Sequence, residues 1–321
     1  MFRPVTHKAL IRAILNYNNK SSHSKLKYLI LMKIKLFLCV ILFSGFSICN
    51  SFGQGQRFKI SLAEWSFHRA LGKGEMTNLD FPKIAKTKYN LDAVEYVSSF
   101  FKGKSEDTIY LAKLKDECNT YGVKSLIIMV DGEGNLADTS LAVRQKAVEN
   151  HYKWVKAAKF LGCHSIRVNA AGRGTMGQVQ LAAIDGLTKL SDYAAKYNIN
   201  VIVENHGGNS SIGKWLSEIM KAVNRPNCGT LPDLGNFYEY DRYQGVTDMM
   251  PFAKGVSGKT HDFDQEGNET VIDYVKMMKI IADSGFKGYI DVEYEGNKLS
   301  EDEGVKASIA LVQKVIAPYN K

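Results

Sequence analysis

Three acidic residues, Glu204, Asp233 and Glu293, each end or directly follow a short apolar run. A carboxylate at the end of a buried strand is costly if it stays ionised and unpaired. Several carboxylates that converge on one point repel each other unless a cation lies between them. Each of them alone could pair with a lysine or an arginine instead. Taken together, the three residues favour a shared divalent metal ion.

These runs belong to a repeated pattern of short apolar strand, polar loop and amphipathic helix that begins at residue 58. We predict eight strands, Phe58–Ala63, Leu91–Val97, Lys124–Val130, Ser165–Asn169, Asn200–Glu204, Gly229–Pro232, Gly255–Thr260 and Tyr289–Glu293. Their alternation with helices predicts a parallel sheet closed into a (β/α)8 TIM barrel, with an open doubly wound sheet as the alternative. No Pro-rich or Ser-rich linker divides the pattern, so we expect one domain over residues 54–321.

The helices are predicted from apolar residues at steps of three and four. In the last full helix before the eighth strand, that spacing places these residues on one face: Val271, Tyr274, Val275, Met278 and Ile281. Glycines that follow apolar or small residues mark three helix ends, at Gly122, Gly162 and Gly285.

The N-terminal 53 residues carry eight basic and no acidic side chains. Lys33 and Lys35 precede an apolar run of about 13 residues, which is shorter than the roughly 20 that a spanning helix needs. Small residues near Gly53 then fit signal-peptide cleavage. We therefore expect an exported, periplasmic or secreted protein whose signal peptide ends near Gly53, without a stable membrane anchor. A retained anchor is the alternative, and Met32 is an alternative start.

The remaining residues are almost neutral, with 34 basic and 33 acidic side chains, so no nucleic-acid partner is expected. Their three cysteines, Cys118, Cys163 and Cys228, are scattered and odd in number. This pattern is not that of a disulfide framework or a zinc cluster, and we expect small buried hydrophobic residues.

In a parallel barrel the loops after the strands form the active-site face. Polar and aromatic residues at the predicted strand ends are therefore candidate substrate contacts: Trp65, His68, Glu95, Arg167, His206 and Asn236. Trp65, with Phe237 or Tyr238, could provide an apolar wall for a sugar ring. The segment Gly172–Gly177 matches the dinucleotide-binding fingerprint, but it follows the fourth strand rather than the first, and a mobile loop is the better interpretation.

The sequence resembles the xylose isomerase-like barrels, a group of sugar (phosphate) isomerases and epimerases, over residues 58 to 318. The resemblance lies in the segments VENHG at 203–207, LPDLGN at 231–236, DFD at 262–264 and GYIDVEYEG at 288–296. In that family a Glu on strand five, an Asp on six, a His on seven and a Glu on eight hold the metal. The resemblance implies that Glu204, Asp233 and Glu293 take three of these places.

The fourth place is open between two residues. Matching Asp262 to the family pattern puts Lys259 where the ligand histidine belongs and His261 where a lysine belongs. The two residues share one face of a strand, because side chains alternate with a period of two. A protonated lysine cannot ligate a metal, although it can stabilise an oxyanion. We predict His261 as the fourth ligand and Lys259 as a catalytic residue, with His206 as a weaker candidate ligand.

The resemblance implies enolisation of a keto-sugar by a metal-dependent isomerase or epimerase. The cofactor expected is Mn2+ or Mg2+, with Zn2+ and Co2+ as alternatives, acting as a Lewis acid. Glu204 and Glu293 would remove and return the proton next to the carbonyl, and Lys259 or Arg167 would stabilise the enediolate.

Three alternatives use the same barrel. One is a keto-sugar or keto-glycoside lyase, dehydratase or hydratase, as in related inosose dehydratases, and another is a non-catalytic sugar-binding protein. The third, an apurinic endonuclease, is disfavoured by the neutral body and the few strand-end histidines. The loops after strands seven and eight are acidic, which predicts a neutral, small-molecule sugar as partner; their acids are Asp262, Asp264, Glu266, Glu269, Glu301, Asp302 and Glu303. A homo-oligomer stays open.

Overall fold

Eight strands, each followed by at least one helix, account for most of residues 56–320, the part of the chain that the computed structural model describes. The strands are β1 (Phe58–Ala63), β2 (Ala93–Val97), β3 (Lys124–Met129), β4 (Ser165–Val168), β5 (Asn200–Glu204), β6 (Cys228–Leu231), β7 (Val256–Thr260) and β8 (Gly288–Tyr294). Each lies within two residues of its predicted bounds. The predicted N-terminal extension and signal peptide, residues 1–53, lie outside the described residues.

The strands form one sheet in the order β6-β5-β4-β3-β2-β1-β8-β7, and all neighbours are parallel. Backbone hydrogen bonds also join the two outer strands. Ser257 N donates to Pro232 O at 2.9 Å, and Leu234 N donates to Ser257 O at 3.0 Å. These bonds close the sheet into a barrel, which confirms the predicted (β/α)8 fold over the open sheet.

Within residues 56–320, nine α-helices surround the barrel. They are α1 (His68–Lys73), α2 (Phe81–Tyr89), α3 (Thr108–Tyr121), α4 (Leu141–Leu161), α5 (Met176–Ala195), α6 (Gly213–Val223), α7 (Arg242–Met249), α8 (Tyr274–Asp283) and α9 (Glu301–Ile316). Gly122 and Gly162 directly follow α3 and α4, which confirms these two predicted helix ends, and both adopt the left-handed conformation. Thr175 and Ser300 begin α5 and α9 with capping boxes, which satisfy backbone N–H groups that the helix leaves free.

The predicted apolar face of α8 is wrong in two positions. Val271 precedes the helix and is 63% exposed, and Val275 is 68% exposed. The side chain of Asp273 accepts from Lys276 N at 2.9 Å and caps the helix there. Starting from Tyr274, the helix buries the residues at steps of three, four and seven, which are Met277, Met278 and Ile281.

The core has two layers. Most buried apolar side chains lie between the strands and the helices, while a smaller group fills the inside of the barrel: Ala63, Ala93, Val97, Leu126, Ile127, Met129, Ile202 and Leu231. Cys118, Cys163 and Cys228 are buried and free, as predicted. Among residues 56–320, no helix is long and apolar enough to cross a membrane.

Candidate active site

A cavity of about 430 Å³ opens at the carboxyl ends of the strands. It is lined by Trp65, Val97, Ser99, Asp131, Arg167, Glu204, His206, Glu293 and Glu295. A larger cavity of about 610 Å³ lies at the opposite end of the barrel, around Phe58 and Tyr289, but its charged residues are exposed to solvent. Buried acidic and basic groups meet only in the first of these two, which is therefore the candidate site.

Arg167, on β4, and Glu204, at the end of β5, form a buried ion pair across neighbouring strands. Arg167 Nε lies 2.8 Å from Glu204 Oε2, and Arg167 Nη1 donates to Asp131 Oδ1 at 2.8 Å. The contact with Glu204 is close but poorly directed, so Glu204 Oε2 has no hydrogen-bond donor among the described residues. Its other oxygen, Oε1, accepts from Asn236 Nδ2 at 3.1 Å. Glu204 is thus paired by charge at Oε2 and hydrogen-bonded at Oε1.

Asp233, which follows β6, is fixed by hydrogen bonds to both its backbone groups and its carboxylate. Asn205 Oδ1 accepts from Asp233 N at 2.8 Å, and Asn205 Nδ2 donates to Asp233 O at 2.9 Å. Asp233 Oδ1 accepts from the backbone N of Gly235 and of Asn236 at 2.7 and 2.8 Å. Asp233 Oδ2 is left for Ser257, whose Oγ donates to it at 3.2 Å.

Lys259, on β7, reaches into the centre of these acids. Its Nζ lies 3.1 Å from Glu293 Oε1, 3.3 Å from Asp233 Oδ2 and 3.5 Å from Glu295 Oε1. It also donates to Asn236 Oδ1 at 3.4 Å. The side chain is only 2% exposed, so the ammonium is almost fully removed from water and depends on these acceptors.

Burial and mutual repulsion dominate the protonation of the acids. Burial raises the pKa of Glu204 to about 8, with Arg167 opposing this and Asp233 adding to it. Burial also raises the pKa of Glu293, against the effect of Lys259. For Lys259 burial opposes the charged form, but Asp233 and Glu293 outweigh it and hold its pKa well above the usual value. A carboxyl that titrates near neutral pH is suited to general acid–base catalysis.

The described residues do not fit the predicted divalent metal as they are arranged. Within residues 56–320, no group of three or more His, Cys, Asp or Glu side chains is placed to hold a metal ion. The space between Asp233 and Glu293 is taken by the Lys259 ammonium, which has no lone pair to offer.

Several predicted contacts do meet at the cavity. Trp65, Arg167 and His206 line it, and Asn236 contacts both Glu204 and Lys259 just beneath. The indole of Trp65 stacks on the His68 ring, with centroids 4.9 Å apart. Their roles toward a substrate remain predictions.

Other predicted residues lie elsewhere. His261 is half-buried beyond the end of β7 and is absent from the cavity lining, as is His68, whose Nδ1 lies 2.9 Å from Trp65 O. Glu95 is buried inside the barrel, where its Oε1 accepts from Ser61 Oγ at 2.8 Å. Of the two predicted walls, Phe237 is buried and Tyr238 is 74% exposed.

The loop acids that suggested a neutral sugar have mostly structural roles. Glu301 accepts from Arg69 N at 2.7 Å, and Glu303 accepts from Ser300 Oγ at 2.7 Å. Glu269 accepts from Val271 N at 2.6 Å, in the loop before α8. The acids that do line the cavity are Asp131, Glu204, Glu293 and Glu295, and none of these loop acids is among them.

Sequence reasoning missed Glu295, Ser257 and Asp291. Glu295 and Asp291 lie two residues to either side of Glu293, so the alternation of side chains along β8 could have placed both inside the barrel. Ser257 shares this relation with Lys259 on β7. Asp291 Oδ1 accepts from Gly258 N at 2.9 Å, and burial raises the pKa of this aspartate well above its usual value.

Comparison with known proteins agrees with the fold. Solved structures with similar folds include the IolI protein with a bound zinc atom (TM-score 0.66, 17% identity, covering 81% of this chain and 99% of that one). A D-tagatose 3-epimerase-like protein gives a TM-score of 0.64 at 17% identity, covering 82% and 98% of the two chains. The probable 3-DHS dehydratase AsbF of Bacillus anthracis gives 0.61 at 16%, covering 79% and 98%. At these identities the similarity establishes a shared fold.

A short segment also resembles a curated protein. Over 67 residues the chain is 34% identical to the C-glycoside deglycosidase alpha subunit of Arthrobacter globiformis, a match that spans 21% of this chain and only 19% of that protein. The family described as xylose isomerase-like TIM barrel matches residues 82–315, which is most of the chain. The chain therefore belongs to the xylose isomerase-like TIM barrel family.

Proposed function

We propose that the protein is an isomerase or epimerase that moves a proton at the carbon next to the carbonyl of a keto-sugar. The observation that carries this proposal is that two buried carboxyls, Glu204 and Glu293, line one cavity from non-adjacent strands. Proton removal next to a carbonyl needs a base at the carbon, and return of the proton needs an acid on the same or the opposite face. Two carboxyls whose pKa values are raised can exchange these roles.

The negative charge that develops on the carbonyl oxygen requires donors fixed beforehand. Arg167 and Lys259 provide a guanidinium and an ammonium within the same buried network. Preorganised donors in a site that excludes water stabilise an enediolate more strongly than water does. Trp65, which lines the cavity, offers an apolar face to a sugar ring.

A neutral sugar is the substrate class that suits this cavity. Its lining holds four carboxyls, those of Asp131, Glu204, Glu293 and Glu295, against the single guanidinium of Arg167. That guanidinium is already engaged by two of these acids. The Lys259 ammonium is likewise engaged by Asp233, Glu293 and Glu295. Neither cation of the described site is therefore free to bind a phosphate group, which supports an unphosphorylated substrate, as does the export that the N-terminal residues predict.

The test is hydrogen exchange. Ketohexoses and 3-keto-glycosides, each with its phosphorylated counterpart where one exists, are incubated with the protein in D2O and followed by NMR. We expect deuterium at the carbon next to the carbonyl for an unphosphorylated sugar, and a fall of roughly 10²-fold or more in Glu204→Gln or Glu293→Gln. Circular dichroism confirms that the variants fold. Absence of exchange with every sugar would refute the proposal, and preference for phosphates would refute the neutral substrate.

A second candidate is cleavage of a bond next to a keto group, as in a lyase or dehydratase acting on a keto-glycoside. Two observations favour it: the short resemblance to a C-glycoside deglycosidase subunit, and a Glu204 whose raised pKa lets a neutral carboxyl protonate a leaving group. The same NMR experiment separates the two reactions. Cleavage gives an unsaturated keto product together with water or a free aglycone, whereas isomerisation gives only an isomer of the starting sugar.

A further inference from the structure

We infer that the ammonium of Lys259 occupies the place of the divalent cation in this barrel, so that the protein works without a metal in its active site. The catalytic part of this inference rests on the proposed function. The metal-binding part does not, because it concerns only the acids around Lys259 and can be measured without a substrate.

The position of the ammonium is the first argument. Asp233 Oδ2 and Glu293 Oε1, the oxygens that would have to hold a shared ion, both lie within 3.3 Å of Lys259 Nζ. Metal–oxygen bonds are about 2.0 to 2.6 Å long, so an ion bound by both oxygens would occupy the space of the ammonium. A doubly charged ion beside it would also be strongly repelled.

The second argument is that the chain accommodates the lysine along its whole length. A Cβ atom on Gly235 would lie only 3.0 Å from Lys259 Cγ and Cδ, so the aliphatic stem packs directly on the glycine backbone. Asn236, the next residue, accepts from the ammonium, and Tyr274 Oη donates to the Lys259 carbonyl at 2.7 Å. The aliphatic chain, the ammonium and the backbone carbonyl of Lys259 are therefore each held by a specific contact, which fixes the ammonium at this position.

The third argument is charge. Lys259 neighbours Glu293 in the strand register and contacts Asp233 and Glu295 as well. Without a cation these carboxylates would be mutually destabilising in a buried site. A fixed ammonium relieves that repulsion, and its positive charge can also stabilise an enediolate held beside Glu293 in the cavity. A divalent ion would otherwise have both of these effects.

The experiment compares metal binding by the full protein with two Lys259 variants. Lys259→His supplies a ligand among Asp233 and Glu293, and Lys259→Ala leaves space for a hydrated ion. A matched control is Lys279→His, because Lys279 also pairs with an acid but is 69% exposed on α8. Each protein is incubated with Mn2+, Mg2+, Zn2+ or Co2+, desalted, and measured by elemental analysis and thermal unfolding.

We expect the wild type and the control to retain no stoichiometric metal and to keep their Tm. Lys259→His is expected to bind about one equivalent and to gain about 5 to 10 °C in Tm at a metal concentration of about 100 times Kd. Lys259→Ala is expected to have a lower Tm than the wild type and to regain it when metal is added. With two variants, the test can still be read if one of them fails to fold. The inference is overturned if the wild type binds one equivalent that Glu293→Gln abolishes, or if neither variant gains metal. Either result leaves the exchange assay unaffected.

Discussion

Glu64 is a buried acid outside the cavity lining whose protonation should be visible in the stability of the fold. It lies in the turn after β1, is fully buried, and its Oε2 accepts from Val97 N at 2.9 Å. Its Oε1 has no partner among the described residues. Burial raises the pKa of Glu64 from 4.5 to about 8, although the bond from Val97 opposes this. The folded protein therefore keeps this carboxyl neutral at pH 7, whereas the unfolded chain ionises it.

The sign and size of the effect follow from linkage. Because the folded pKa is the higher one, the contribution to stability is complete below about pH 4.5 and is lost as the pH rises to about 8. Each unit of pKa difference corresponds to about 1.4 kcal/mol, so the total loss is about 5 kcal/mol. Glu64→Gln keeps an acceptor for Val97 N and removes the titration. Relative to the wild type, the variant should gain about 5 kcal/mol in free energy of unfolding between pH 4.5 and pH 8.5.

Urea denaturation of both proteins across this pH range measures the difference. Glu106→Gln is the matched control, because Glu106 is exposed one residue before the cap of α3. The control should follow the wild type at every pH. A constant difference between Glu64→Gln and the wild type, or one that shrinks as the pH rises, would refute the assignment of a neutral buried carboxyl.

Three further perturbations test the packing and charge of the site. Gly235→Ala should cost about 1 to 3 kcal/mol of unfolding free energy, because the added Cβ crowds the side chain of Lys259. Gly177→Ala is the control: its Cβ would have open space, so the change should be neutral or stabilising by up to about 1 kcal/mol. Equal effects of the two variants in urea denaturation would contradict this. Arg167→Met should cost about 1 to 3 kcal/mol, because it removes a hydrogen-bond donor from Asp131 and the cation beside Glu204. An unchanged free energy of unfolding would show that these contacts contribute little. Ser300→Ala should lower the free energy of unfolding by about 0.5 to 2 kcal/mol through loss of the α9 capping box, and an unchanged urea midpoint would argue against that cap.

Much of the fold could be predicted because its signals are local. Strand ends recur at the length of a βα unit, and Gly122 and Gly162 end helices in a conformation that glycine adopts without strain. The prediction for α8 failed at Val271 because apolar spacing alone does not identify the capping residue that starts a helix.

The sequence predicted which acids gather at the site, but it did not predict that the Lys259 ammonium would lie between them. Their positions at strand ends predict that Glu204, Asp233 and Glu293 lie at one end of the barrel. The alternation of side chains along a strand gives Lys259 and His261 the same face. Two residues along a strand span about 6.6 Å, so the two side chains differ by one layer in depth. Only the closed barrel shows that the longer side chain, starting one layer deeper, reaches the acids.

The most direct test of the account is deuterium incorporation by protein treated with EDTA and assayed in D2O with a neutral keto-sugar. The account predicts deuterium at the carbon next to the carbonyl in the metal-free wild type, and its loss in Glu293→Gln. Exchange that disappears with EDTA and returns with Mn2+ would contradict the role of Lys259, and exchange that persists unchanged in Glu293→Gln would contradict proton transfer by the buried carboxyls.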